Sequence, residues 1–472
     1  MKRLRWLAAI ACLALIQTSP GQLVELWRSV PDIRQIRHIS WTTGVVDEEG
    51  NVTLGSGRAL LVVRFDSQGH QEWYREINLG STEALNSSAL LSNGTIAFGG
   101  LYRAPGIWRS AAFVFTRQGD VVAHYNEPGG LGTGSIAGMH GDKIVLFGGS
   151  QTAVKTTLFN HQLIPIWSHI YRAPESPSDA GSGFVASDLI ARNPVYASAV
   201  VFPRLICLDA SGALLSAVSF DFGYQELWTD GSKLAIYGNG KVALGARVHH
   251  PLGQWQNILY GVDARTGIDW THWFPPNGNL ARLWTDPKGR LLGDWFDAFG
   301  RQYLLEFDTI SGSVLMSMAV PLPGVRRYER YGLFAYDERG ALYMVGVGQD
   351  GQDGQYLNHR PLIAKLDRNF RPVWYMYLDL PFATEPRWTR IQKDRLYLMT
   401  GATALPPLVK YKILAVRSEG DVSGDGCIDD KDLAMVLEAF GTANPSADLN
   451  GDGIVDDLDL EEVLHNFGLG CE

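Results

Sequence analysis

The stretch Val62-Val-Arg-Phe-Asp66-Ser-Gln-Gly69-His-Gln-Glu-Trp73 reads as two short strands around a tight polar turn. Apolar and polar residues alternate on both sides, Gly69 suits a turn conformation, and Asp66 can cap the turn through nearby backbone N–H groups. The pattern returns as Gly261-Val-Asp263-Ala-Arg-Thr-Gly267-Ile-Asp-Trp270 and as Lys365-Leu-Asp367-Arg-Asn-Phe-Arg-Pro-Val-Trp374. It also occurs without its tryptophan, as Cys207-Leu-Asp209-Ala-Ser-Gly212-Ala-Leu-Leu215. A second element, a glycine or charged turn followed by a strand, begins at Gly50, Gly94, Asp142, Asn193, Gly240, Gly289, Gly340 and Asp394. These starts lie 44 to 54 residues apart, a period that suits one four-stranded unit per repeat.

The repeats run from Gln22 to about Arg417 and contain no convincing long helix. They predict an all-β, eight-bladed propeller, with seven blades as the nearest alternative. The last repeat lacks its closing tryptophan-bearing strand. A spare strand of that type, Leu23-Val-Glu-Leu-Trp27-Arg-Ser-Val, stands near the N-terminus. Joining the two closes the ring and removes the edges that an open sheet presents. The recurring tryptophans read as wedges between neighbouring blades.

The chain after the repeats has a different chemistry. Asp421-Val-Ser423-Gly-Asp425-Gly426-Cys427-Ile-Asp429-Asp-Lys-Asp432 is followed by Asp448-Leu-Asn450-Gly-Asp452-Gly453-Ile454-Val-Asp456-Asp-Leu-Asp459. Oxygen-bearing side chains at positions 1, 3, 5, 9 and 12 with glycine at 6 form a calcium-loop pattern, since a hard cation takes six to eight oxygens and the glycine permits the sharp turn. Leu433, Val436, Leu437 and Phe440 follow the first loop at helical spacing, and Leu460, Val463, Leu464 and Phe467 follow the second. Each set predicts one apolar helical stripe, ended at Gly441 or Gly468.

The duplicated loop-plus-helix resembles a type I dockerin module over residues of about 420–472. Both loops end in aspartate at position 12, where a general EF-hand has glutamate. Membership implies calcium-dependent folding, two helices packed antiparallel, and docking to a cohesin module. By position, it implies side-chain oxygens from Asp421, Ser423, Asp425 and Asp432 at a first Ca²⁺. Asp448, Asn450, Asp452 and Asp459 serve a second. Cys427 and Ile454 give backbone carbonyls, and Asp429 and Asp456 act through water. Ser423 stands where asparagine or aspartate is usual. Asp430-Lys431 and Asp457-Leu458 stand where small hydroxyl residues are common. In the body, Asp263 to Trp270 resembles repeats of quinoprotein-alcohol-dehydrogenase-like (PQQ-like) propellers, a likeness that says little about chemistry.

Charge separates the two regions. From Glu419 onward there are 15 acidic residues and one basic one, leaving 35 acidic and 40 basic residues upstream. The net charge of −9 therefore belongs to the loops. No basic stripe argues for nucleic acid. Lys2, Arg3 and Arg5 precede an apolar run from Trp6 to Ile16, and Ser19 and Gly21 fit a cleavage site before Gln22. Residues 1–21 are thus expected to be a secretory signal, 22–417 the repeat domain and 418–472 the calcium module. The run is too short to span a bilayer, and Cys12 offers a lipoprotein alternative. An extracellular or periplasmic location permits disulfides. A Cys427–Cys471 bond would clasp the ends of a module with little core, and two free thiols are the other possibility. Cys207 reads as a buried strand residue.

The body carries no Cys-Cys pair, no His-Glu-x-x-His, no Gly-x-Ser-x-Gly and no phosphate loop. A quinone-dependent dehydrogenase is disfavoured on the first absence. Catalytic residues stay unassigned. Asn86-Ser-Ser and Asn93-Gly-Thr read as turns. Trp108, Trp255, Trp295 and Tyr328 are candidate rim aromatics for sugar stacking. The expectation is a secreted, monomeric, non-catalytic binding scaffold with a docking module, whose partners would be a cohesin-like protein or cell-surface component and a possible carbohydrate. The alternative is a polysaccharide hydrolase or lyase with its site in the funnel, which requires paired carboxylates.

Overall fold

The structure, a computed structural model, describes residues 23–30, 41–56, 61–77, 83–104, 107–127, 135–139, 143–149, 153–172, 184–187, 196–200, 204–209, 211, 213–219, 227–228, 234–238, 241–249, 255–299, 301–319, 333–337, 341–349, 359–366, 369–378, 386–400, 408–413, 420–423, 425, 427–444, 446–450, 453–469 and 471. The expected signal segment, Cys12 and Tyr328 lie outside these residues.

Among the described residues the strands form eight antiparallel sheets in sequential order. We number the blades by residue range: 1 (41–76), 2 (83–126), 3 (135–172), 4 (184–219), 5 (227–273), 6 (279–319), 7 (333–377) and 8 (386–413 with 23–29). In blade 5 the first strand comes in two pieces, Leu227–Trp228 and Leu234–Tyr237, both paired with Lys241–His249. Each turn-then-strand motif of the sequence becomes the second strand of one blade, as in Val52–Ser56, Ile96–Ala104 and Arg395–Thr400. The second and third strands of blade 1 are buried throughout because neighbouring blades cover both faces, whereas its fourth strand, Gln71–Glu76, alternates towards solvent.

The blades pack in a ring. Val62 meets Leu85 and Phe98 between blades 1 and 2, and Val114 meets Ile144 between 2 and 3. Leu158 meets Leu208, and Leu205 and buried Cys207 meet Val242 and Tyr260. Leu259 meets Leu291, Leu304 meets Leu342, and Ile363 meets Leu396. Met399 and Leu408 then meet Leu54 and Val63, returning the series to blade 1. These interfaces define a β-propeller. The closing strand is Leu23–Ser29, paired antiparallel with Leu408–Ile413 from Leu23 opposite Ile413 to Ser29 opposite Leu408.

The tryptophans fill the gaps between blades. The Trp73 indole N–H donates to the Arg117 carbonyl of the next blade at 2.9 Å, and Trp27 does the same to Ser67 at 2.9 Å. Each ring lies on a turn glycine with positive φ, Gly119 or Gly69, where an added Cβ would sit 2.7 or 2.6 Å from the indole. Only glycine meets both the backbone and the space requirement. The Asp66 carboxylate accepts from the backbone N–H groups of Gln68 and His70 at 2.9 and 2.8 Å, and Asp209 repeats the device with Ser211 and Ala213. Asn93 also closes a turn, through the N–H of Thr95. Asn86 corrects the turn reading: it is an exposed residue at an irregularity within the strand Glu83–Leu90, where the register shift turns it outwards.

Trp295 is not a rim aromatic. It is buried, stacked on Phe274 with centroids 4.5 Å apart. Trp255 is half-buried beneath the Arg247 guanidinium, 4.9 Å from its ring. The side chain of Trp108 lies outside the described set.

Blade 6 contains a buried acid. Asp294 accepts from the Gln302 amide at 2.7 Å, and burial pushes its carboxyl up to about 6 against the opposing pull of Gln302 and Arg282. A folded-state value above the ordinary one means that its contribution to stability is full below about pH 4 and is lost as pH rises through about 6. The Asp294→Asn variant should flatten that slope and gain on the order of 1–2 kcal/mol at pH 8 relative to pH 5. Urea midpoints at the two pH values check this.

Candidate metal centre

The two loops each lead into a short helix, α1 (Asp430–Ala439) and α2 (Asp457–His465). The N-caps are Asp429 and Asp456, at loop position 9. Each accepts from the backbone N–H two residues on, at 2.9 Å. Position 12 completes a reciprocal capping box, since Asp432 and Asp459 accept from the N–H groups of Asp429 and Asp456 at 2.9 Å each. Both position-12 side chains are fully buried. Their other oxygens hold the start of the loop: Asp432 accepts from Ser423 N–H at 2.8 Å, and Asp459 from Leu449 and Asn450 N–H at 2.6 and 3.1 Å. One carboxylate thus ties both ends of its loop to the helix start and places negative charge at the positive end of the helix dipole.

The remaining positions follow the loop path. Buried Asp421 accepts from Asp425 N–H at 3.1 Å, and half-buried Ser423 points its hydroxyl at Asp421, 3.4 Å away. Asp448 accepts from Gly453 N–H at 3.0 Å. Gly453 has φ +97°, a conformation open to glycine and hostile to other residues. Ile454 is exposed, so its side chain leaves the loop interior free. Asp452 lies outside the described residues. Exposed Asp425 accepts from Cys427 N–H at 3.1 Å and from the Lys431 ammonium at 3.0 Å, and Lys431 holds its carboxyl below the usual range.

These donors are hard oxygens, and they suit Ca²⁺ chemically. Among the described residues no three His, Cys, Asp or Glu side chains already converge on one point.

Two features lie beyond the loop reading. The apolar position-8 residues exchange backbone bonds across the module. Ile428 N–H donates to Leu469 O at 2.9 Å and its carbonyl accepts from Gly468 N–H at 2.7 Å, both beyond α2. Val455 repeats this with Thr442 and Gly441, beyond α1, at 2.8 Å for each bond. Each loop is therefore clasped to the end of the other helix. Their sequence signal is the apolar residue recurring 27 positions on. The disulfide Cys427–Cys471 staples the first clasp.

The helical stripes need correction. Val436 and Val463 are buried, but Leu437, Phe440, Leu464 and Phe467 are exposed. The core takes Val422, Ile428, Ala447, Val455 and Leu469 from loops and connections, which leaves the outer half of each stripe uncovered.

Residues 419–467 match the Dockerin type I domain family, and that segment is a type I dockerin module. No curated protein matches the chain. Similar solved structures include a catalytically inactive variant of virginiamycin B lyase from Staphylococcus aureus with quinupristin, 11% identical with TM-score 0.44, covering 82% of this chain and 99% of that one. BamB from Moraxella catarrhalis is 12% identical with TM-score 0.41, covering 83% and 99%. Quinohemoprotein alcohol dehydrogenase from Comamonas testosteroni is 12% identical with TM-score 0.47, covering 85% and 80%. Among the described residues no helix is long and apolar enough to cross a membrane.

Proposed function

We propose that this chain is a secreted propeller scaffold, residues 22–417, attached to a partner through a calcium-dependent dockerin module, residues 418–472. The observation that carries the reading is the duplicated loop whose position-12 aspartates, Asp432 and Asp459, are buried and tie both loop ends to a helix start. Two Ca²⁺ ions would be held by Asp421, Ser423, Asp425, Asp432 and the Cys427 carbonyl, and by Asp448, Asn450, Asp452, Asp459 and the Ile454 carbonyl. Asp429 and Asp456 would contribute through water. Bound calcium neutralises clustered carboxylates. The protein's own part is to hold the loop ends together, through the capping boxes and crossed clasps, so that the paired helices keep one shape.

The exposed Leu437, Phe440, Leu464 and Phe467 support docking to a protein, a cohesin-type module, through the helix faces. The disulfide supports an oxidising, extracellular setting. In the body, described first-strand side chains bind one another. The hydroxyls of Thr43 and Ser88 lie 2.6 Å apart, and Trp284 donates to the Tyr336 hydroxyl at 2.6 Å. Such pairing supports a structural scaffold. Immobilised type I cohesins should capture the full chain in calcium and release it in chelator. Capture that ignores chelator, or that survives Asp432→Ala with Asp459→Ala, would contradict the proposal.

A further inference from the structure

The first loop carries a charged contact at one of its oxygen positions. Lys431, at position 11 of the first loop, places its ammonium 3.0 Å from Asp425 Oδ2, a position-5 oxygen assigned above to the cation. The equivalent residue 27 positions on is Leu458, which has no charge to offer. Lys431 also sits in the first turn of α1, the end of a helix where the dipole disfavours a cation. Its position there depends on nearby carboxylates. The first loop also has the neutral Ser423 hydroxyl at position 3, where the second has the amide of Asn450.

We propose that Lys431 is a built-in competitor for calcium, which weakens the first loop's hold on the ion. This rests on the calcium reading above. Ca²⁺ entering the first loop must displace the ammonium from Asp425 and then tolerate it within a few ångströms. At the equivalent position of the second loop Leu458 brings no charge.

The test is calorimetric titration of the metal-free full chain with calcium chloride. Asp448→Asn disables the second loop, so that the first is read alone. Adding Lys431→Leu in that background should tighten first-loop binding about two- to five-fold, the range set by an exposed ion pair. The gain should shrink in 1 M salt, where screening is strong. Lys431→Gln should give the same gain and guards against an effect of the leucine side chain. In an Asp421→Asn background, which leaves the second loop, Lys431→Leu should change nothing. Unchanged or weaker first-loop affinity in both lysine variants overturns the proposal. An absence of binding heat in the unmutated chain overturns the calcium reading itself.

Discussion

Deleting Leu23–Ser29 should abolish the single cooperative unfolding of the propeller and make it self-associate. The strand pairs along the whole of Leu408–Ile413, and removing it bares the N–H and C=O row of that edge. It also removes Leu23 from the core shared by blades 7 and 8. Trp27 is lost from the turn of blade 1, where its indole donates to Ser67 and lies on Gly69. Trp27→Ala alone should cost about 2–3 kcal/mol, less than a fully buried tryptophan because the ring is half exposed. Thermal unfolding with size-exclusion chromatography checks both. A deletion variant that stays monomeric and melts as the intact chain does would show that closure does not depend on this strand.

The ring was legible because its signals are local and repeated. Glycine turns before apolar runs, Asx-capped hairpins and the tryptophans of most outer strands can be read residue by residue, and the unpaired Trp27 strand pointed to its own partner. Cys207 in its strand was legible for the same reason, whereas Asp432 and Asp459 were read as cation ligands and their anchoring of the loop ends shows only in the folded loops. What failed depended on distance in the fold. Helical spacing around Leu437 and Phe440 defines a stripe, but only the packing of Ile428 and Val455 decides how much of it is covered. Trp295 shares its composition with a rim aromatic, and only the stacking of Phe274 distinguishes the two. The contact between Lys431 and Asp425 required the loop path itself.

Removing the disulfide should have the second large effect, confined to the C-terminal module. The bond joins residues 44 apart, and a loop of that length is worth about 4 kcal/mol in the chain-entropy model. A module of this size rarely holds more than about 3–5 kcal/mol from its core, and the buried apolar side chains here are few, valines beside Ile428, Leu469, Ala439 and Ala447. The two figures are comparable, so a Cys427→Ser, Cys471→Ser chain should be largely unfolded in this region without calcium. Calcium at about a thousandfold above its dissociation constant returns about 4 kcal/mol per site and should restore the helices. Far-ultraviolet circular dichroism across a calcium titration checks this. A double variant as helical without calcium as the parent would show that the staple contributes little.

Differential scanning calorimetry of the intact chain, with saturating calcium and then with excess chelator, tests the central claim most directly. Two transitions are expected. Chelation should move the smaller one, from the capped loops and helices, down by many degrees while the larger propeller transition stays in place. Superimposable traces would mean that these acidic loops hold no ion the fold relies on.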